Sequence, residues 1–149
     1  MQNQLTVEER VIVAIRRITR SVDIHSDFLK RNFGLTGPQL TILRVVKRLQ
    51  PVPAGEVART ANFNQGTLTG IFDRLESNGL VSRTRHAPDR RTVMLRLTAE
   101  GDRVLAAVPF LLRKRCLESL ETMPASEQAL LLKMLEHLAH LMEDDSPIA

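Results

Sequence analysis

Aromatic side chains are scarce in this chain, which has no tryptophan, no tyrosine and five phenylalanines in 149 residues. Binding of single-stranded nucleic acid by base stacking is therefore not expected, because each stacked base needs a ring to rest on. Cysteine is equally thin: Cys116 stands alone and cannot form an internal disulfide. No stretch approaches the ~20 apolar residues that cross a bilayer. The opening Met1-Gln-Asn-Gln-Leu5 lacks the basic start and apolar run of a secretion signal. A cytoplasmic protein without membrane association is expected. Motifs of catalysis are missing as well, with no phosphate-binding glycine loop and no nucleophile elbow. His137 and His140 are three apart, but no cysteine or carboxylate cluster completes a closed metal site beside them. Asp23-Ile-His25 is too little for a catalytic pair. No catalytic residue, metal or cofactor is assigned, and an enzyme is not expected.

What the chain does have is a globular composition, 43% hydrophobic and 26% charged, with length for one domain or a domain plus an extension. Its net charge of +4 is modest. The excess is local, however: Arg83 to Thr98 holds five arginines and one acid on two alternating segments joined by Pro88-Asp89. That pattern predicts a basic β-hairpin. Five arginines on one short hairpin repel one another unless an anion is at hand, so a polyanionic partner is implied rather than mere solubility.

Along the chain, Thr6 with Glu9 has the form of a capping box, and Val11, Ile15, Ile18, Val22 and Leu29 recur at helical spacing. One long helix to about Phe33 follows, with Gly34 suited to its left-handed end. Thr36-Gly-Pro-Gln39 is a second capping box, and Leu40, Leu43, Val46 and Leu49 give the buried face of a second helix that Pro51-Val-Pro53 breaks. Residues 54–61 allow two turns, with Val57 and Ala58 inward. Asn64 then caps a helix to Asn78 whose Leu68, Ile71, Phe72 and Leu75 fall on one arc. Its opposite arc holds Gly66, Gly70, Asp73 and Ser77, flanked by Thr69 and Arg74. Each exposed helical glycine costs about 0.8–1.0 kcal/mol relative to alanine. Two readings stand: the backbone approaches a partner surface closely there, or the glycines are simply tolerated.

Beyond Thr98, Val104, Val108, Leu111, Leu112, Leu117 and Leu120 line one side of a long helix that Pro109 should bend. A last helix carries Leu130, Met134, Leu138 and Leu141. Cys116 falls beside the apolar stripe and is expected as a small buried side chain.

Leu35-Thr-Gly-Pro-Gln-Leu40, Thr67 to Arg83 (Thr-Leu-Thr-Gly-Ile-Phe-Asp-Arg-Leu-Glu-Ser-Asn-Gly-Leu-Val-Ser-Arg) and Asp89 to Gly101 (Asp-Arg-Arg-Thr-Val-Met-Leu-Arg-Leu-Thr-Ala-Glu-Gly) together resemble the MarR family of bacterial transcriptional regulators. The resemblance runs from roughly Val7 to Met142, and its most specific part is the Asp-Arg-Arg wing followed by Leu-Thr-x-x-Gly. It implies a mainly α fold with a small β-hairpin wing: a winged helix-turn-helix over residues 36–98, flanked by long dimerisation helices in 1–35 and 99–149. The helix after Asn64 is then the reading helix. Asn64, Gln65, Gly66, Thr67, Thr69, Gly70 and Arg74 on it, with Arg83, Arg85, Arg90 and Arg91 on the wing, are candidates for contact with an operator. Amides and hydroxyls can meet base edges or phosphates, and a guanidinium can enter a narrow minor groove or bind phosphate. By the resemblance Arg90 inserts, and Asp89 with Arg91 braces the tip.

The helices flanking the winged segment are too apolar to stand alone, so a homodimer is expected, with two reading helices about 34–36 Å apart on a pseudo-palindromic duplex. Family members also bind small anionic or aromatic effectors. By approximate position His25, Phe28, Leu29, Leu43 and Val108 are the candidates for such a pocket, with core packing as the competing reading for each. The expected function is a DNA-binding regulator acting as a repressor. The alternative is a winged-helix adaptor that binds protein rather than DNA.

Overall fold

A computed structural model describes residues 5–85, 91–111 and 114–143. Its contacts divide the chain into two compact units, Met1–Pro109 and Phe110–Ala149. In the first, α1 (Val7–Phe33) opens on the predicted capping box: the Glu9 N–H donates to Thr6 Oγ1, and the Thr6 N–H donates to the Glu9 carboxylate at 2.7 Å. It closes at Gly34, whose φ of +63° only glycine adopts without strain. The second capping box, Thr36 with Gln39, starts α2 (Gly37–Leu49). Elements β1 (Val52–Pro53), α3 (Ala54–Ala61), α4 (Gln65–Ser77), β2 (Val81–Arg85), β3 (Val93–Leu97) and α5 (Ala99–Ala107) follow.

The sheet has three strands in the order β1-β3-β2, all antiparallel, where the sequence predicted two. Pro51-Val-Pro53 does break the helix, but Val52 then lies opposite Leu95 and buries its side chain. Proline has no N–H to continue a ladder, which keeps this strand to two residues. The Gln50 side chain supplies the next rung, accepting the Leu97 N–H at 2.8 Å.

One apolar core serves this unit. Leu29 of α1, Leu40, Ile42, Leu43 and Val46 of α2, Val57 of α3, Leu68, Phe72 and Leu75 of α4, and Leu95 of β3 are all buried in it. Full burial of a leucine contributes roughly 1.5–3 kcal/mol, so these contacts dominate the positioning of α4 and the sheet. Only the last turns of α1 take part: Val11, Ile18, Val22 and Ile24 are exposed.

In the second unit, α6 (Lys114–Thr122) and α7 (Ala125–Glu143) are joined where the Gln128 amide donates to the carbonyls of Leu120 and Met123. Neither helix buries a described residue. The single helix bent at Pro109 is not formed. Instead α5 ends at Ala107, two residues before the proline, and a new helix begins at Lys114. The ring at Pro109 clashes with the carbonyl four residues back and removes a donor, and here the chain ends the helix rather than bending it.

Candidate nucleic-acid interface

The connection into α4 is built from polar caps. Asn62 ends α3 in the left-handed region (φ +55°), which asparagine tolerates better than most residues. Asn64 caps α4, with its Oδ1 accepting the Thr67 N–H at 2.8 Å. The predicted inward arc holds: Leu68, Phe72 and Leu75 are buried and Ile71 is half-buried. Gln65, Gly66, Thr67, Thr69, Gly70 and Arg74 are exposed together. The Thr69 hydroxyl donates to the Gln65 carbonyl, so it stays close to the helix surface. A Cβ added at Gly70 would meet nothing within 4 Å, and one at Gly66 would meet only Asn64 Oδ1 at 3.7 Å. No internal packing therefore requires either glycine.

At its other end α4 hands the chain to the wing. Gly79, at φ +70°, lets the Leu80 N–H return to the Leu75 carbonyl and the Gly79 N–H to that of Glu76. Thr98 fixes the wing root to this turn: its hydroxyl donates to the Gly79 carbonyl at 2.5 Å and accepts the Gly101 N–H at 3.0 Å. Gly101 carries a physical constraint that its place in a motif had not explained. A Cβ there would sit 2.0 Å from the Leu80 carbonyl oxygen.

On the wing, β2 pairs with β3 from Val81 opposite Leu97 to Arg85 opposite Val93. Arg85 and Arg91 are exposed at the outer end. Arg83 is turned toward α4. It makes ion pairs with Asp73 and Glu76 of α4, and only about a quarter of its side chain (26%) is exposed. Those hydrogen bonds hold its guanidinium protonated more firmly than usual, against the opposing effect of burial. The i, i+3 spacing of two acids upstream of a basic strand was the available signal for this pairing. Asp89 and Arg90 lie outside the described residues.

The five effector candidates do not act alike. Leu29, Leu43 and Val108 are core side chains, the first two with no exposed surface, so a ligand reaches them only by opening the core. Phe28 is exposed, with its ring 6.0 Å from that of Phe33. The Nε2 of His25 is buried without a hydrogen-bond partner among the described residues. Burial first, and the nearby Arg44 charge second, lower its pKa below the ordinary 6.5, so the neutral imidazole is favoured. A cavity of about 620 Å³ opens elsewhere, lined by residues including Asn32, Asn78, Leu80 and Arg103, and none of the five candidates borders it. Cys116 is exposed, not buried as expected, on a helix that buries no described residue. His137 and His140 gather no third ligand, and no group of three such side chains occurs among the described residues. Among those residues no helix is long and apolar enough to cross a membrane.

The sequence profile of the MarR family matches residues 35–93, from the start of α2 into β3. The transcriptional regulator FarR of Neisseria gonorrhoeae is 32% identical over 109 residues, 72% of this chain and 74% of that protein. In fold, the chain resembles a MarR family transcriptional regulator from Streptomyces coelicolor solved in complex with DNA. The TM-score is 0.72 at 23% identity, covering 97% of this chain and 94% of that one. The transcriptional repressor CouR, solved on a 23-mer DNA duplex, gives a TM-score of 0.66 at 25% identity over 90% and 92% of the two chains. A capped helix with an exposed glycine face, a basic three-stranded wing and these likenesses agree: the chain belongs to the MarR family of winged helix-turn-helix transcriptional regulators.

Proposed function

We propose that the protein is a cytoplasmic repressor that binds a pseudo-palindromic DNA duplex as a homodimer and is released by a small-molecule effector. The observation that carries the DNA reading is the exposed face of α4, where Gly70 has open space and Gly66 only the Asn64 cap beside it. Backbone unshielded by side chains can come close to a groove wall, and Gln65, Thr67 and Arg74 flank it with donors for phosphates or base edges. Asn64 retains its amide N–H groups for the same purpose while its oxygen caps the helix. Arg85 and Arg91 extend the basic surface along the wing; by family resemblance Arg90 enters the minor groove, braced by Asp89 with Arg91.

Two reading heads follow from the exposed apolar faces. Val11, Ile18 and Val22 of α1, and Leu130, Met134, Leu135 and Leu141 of α7, are all exposed in the isolated chain. Such surface is normally covered by a partner, and a second copy supplies two-fold symmetry to match a two-fold operator. For an effector, Phe28 and His25 are the two candidates that a ligand meets without breaking the core.

The test is a titration of the protein against the duplex DNA flanking its own gene at several salt concentrations. Nanomolar affinity that falls steeply with salt is expected, because each neutralised phosphate releases counterions. Absence of binding even at low salt would favour the protein-binding adaptor.

A further inference from the structure

Arg83 sits on β2 opposite Leu95, yet its guanidinium is directed at α4. Its Nε and Nη2 donate to Glu76 Oε2 at 2.7 and 2.6 Å, and Nη2 also pairs with Asp73 Oδ1. At 100° per residue Asp73 lies on the same arc as Gly66 and Gly70, the arc assigned above to the DNA. A carboxylate on that arc would repel the phosphate backbone unless a cation accompanied it. Arg83 is the cation in place, and its planar fork spans both acids where the compact ammonium of a lysine would not.

We infer that Arg83 is a positioning residue and not a phosphate contact: it ties the wing to the reading helix through Glu76 and cancels the Asp73 carboxylate on the face turned to the operator. The inference rests on the proposal that the exposed face of α4 lies on DNA. It separates Arg83 from Arg85, its neighbour two residues along the strand, which is exposed and makes no ion pair among the described residues.

A thermodynamic cycle tests it, using the full-length protein and the duplex flanking its gene. Arg83→Ala is made in the wild-type background and in one carrying Asp73→Asn with Glu76→Gln, and folding of each is checked by thermal melting. In the wild-type background the alanine is expected to weaken binding at least tenfold, since it uncovers Asp73 on the DNA-facing arc and releases the wing from Glu76. In the neutralised background it should cost less than threefold. Equal losses in the two backgrounds would overturn the inference, because a phosphate contact belongs to the DNA and not to the acids. Should Arg83→Ala fail to fold, Arg83→Gln enters the same cycle. If the wild-type protein binds no duplex, the DNA reading fails first. The cycle is then read in melting temperature, where additivity of the substitutions would sink the tie between β2 and α4 as well.

Discussion

At Gly101 an added Cβ would lie 2.0 Å from the Leu80 carbonyl oxygen, in backbone already held by the Thr98 N–H at 3.1 Å. Neither side can yield without moving α5 or the start of β2. Gly101→Ala is therefore expected to destabilise the fold by about 1–3 kcal/mol, the size of overpacking in a close-packed interior. Denaturant unfolding checks it, and an unchanged midpoint would contradict the steric account. Arg83 has a partner that the sequence alone does not assign to it. The alternation of a strand places Arg83 and Arg85 on one face, but it does not say which of them meets the acids of a neighbouring helix. Three-dimensional proximity decides that, and only Arg83 is in reach of Asp73 and Glu76.

Helices whose ends are written in side chains were legible at the level of elements. Thr6 with Glu9, Thr36 with Gln39, and Asn64 each form the cap that the sequence predicts. The inward arc of α4 was legible for a related reason: apolar residues at helical spacing have one core to enter. Strand β1 was not, because two residues, one of them a proline, carry no period and their partners on β3 are more than forty positions away. The end of α5 was misjudged because a continuous apolar stripe ran through Pro109, and the proline outweighed it. The exposed stripe on α7 carries its own prediction. Leu130, Leu131, Leu132, Met134, Leu135, Leu141 and Met142 are exposed and cover more than half the helix circumference. Sedimentation at micromolar concentration should find a dimer. Leu130→Asp should shift it toward monomer with little loss of helix content, since Leu130 is 59% exposed in the single chain. A wild-type monomer would remove the basis for two-fold recognition.

In the whole molecule, the proposed dimer carries reading heads whose surface is shaped by side chains that are missing from it. The DNA-facing part of that account was only partly legible in sequence: the glycines were visible, but whether an internal neighbour required them was not. The structure supplies open space at Gly70, so packing among the described residues does not require a glycine there. Gly70→Ala separates the two demands on that position. Alanine in an exposed helix interior should stabilise the fold by up to about 1 kcal/mol, while its methyl group holds the α4 backbone away from the groove. The most direct measurement is therefore the melting temperature of wild type and Gly70→Ala beside their affinity for the same duplex at the same salt. The account predicts a higher melting temperature with weaker binding, by tenfold or more if roughly 1.4 kcal/mol of contact is lost. Unchanged or tighter binding by the more stable variant would contradict it.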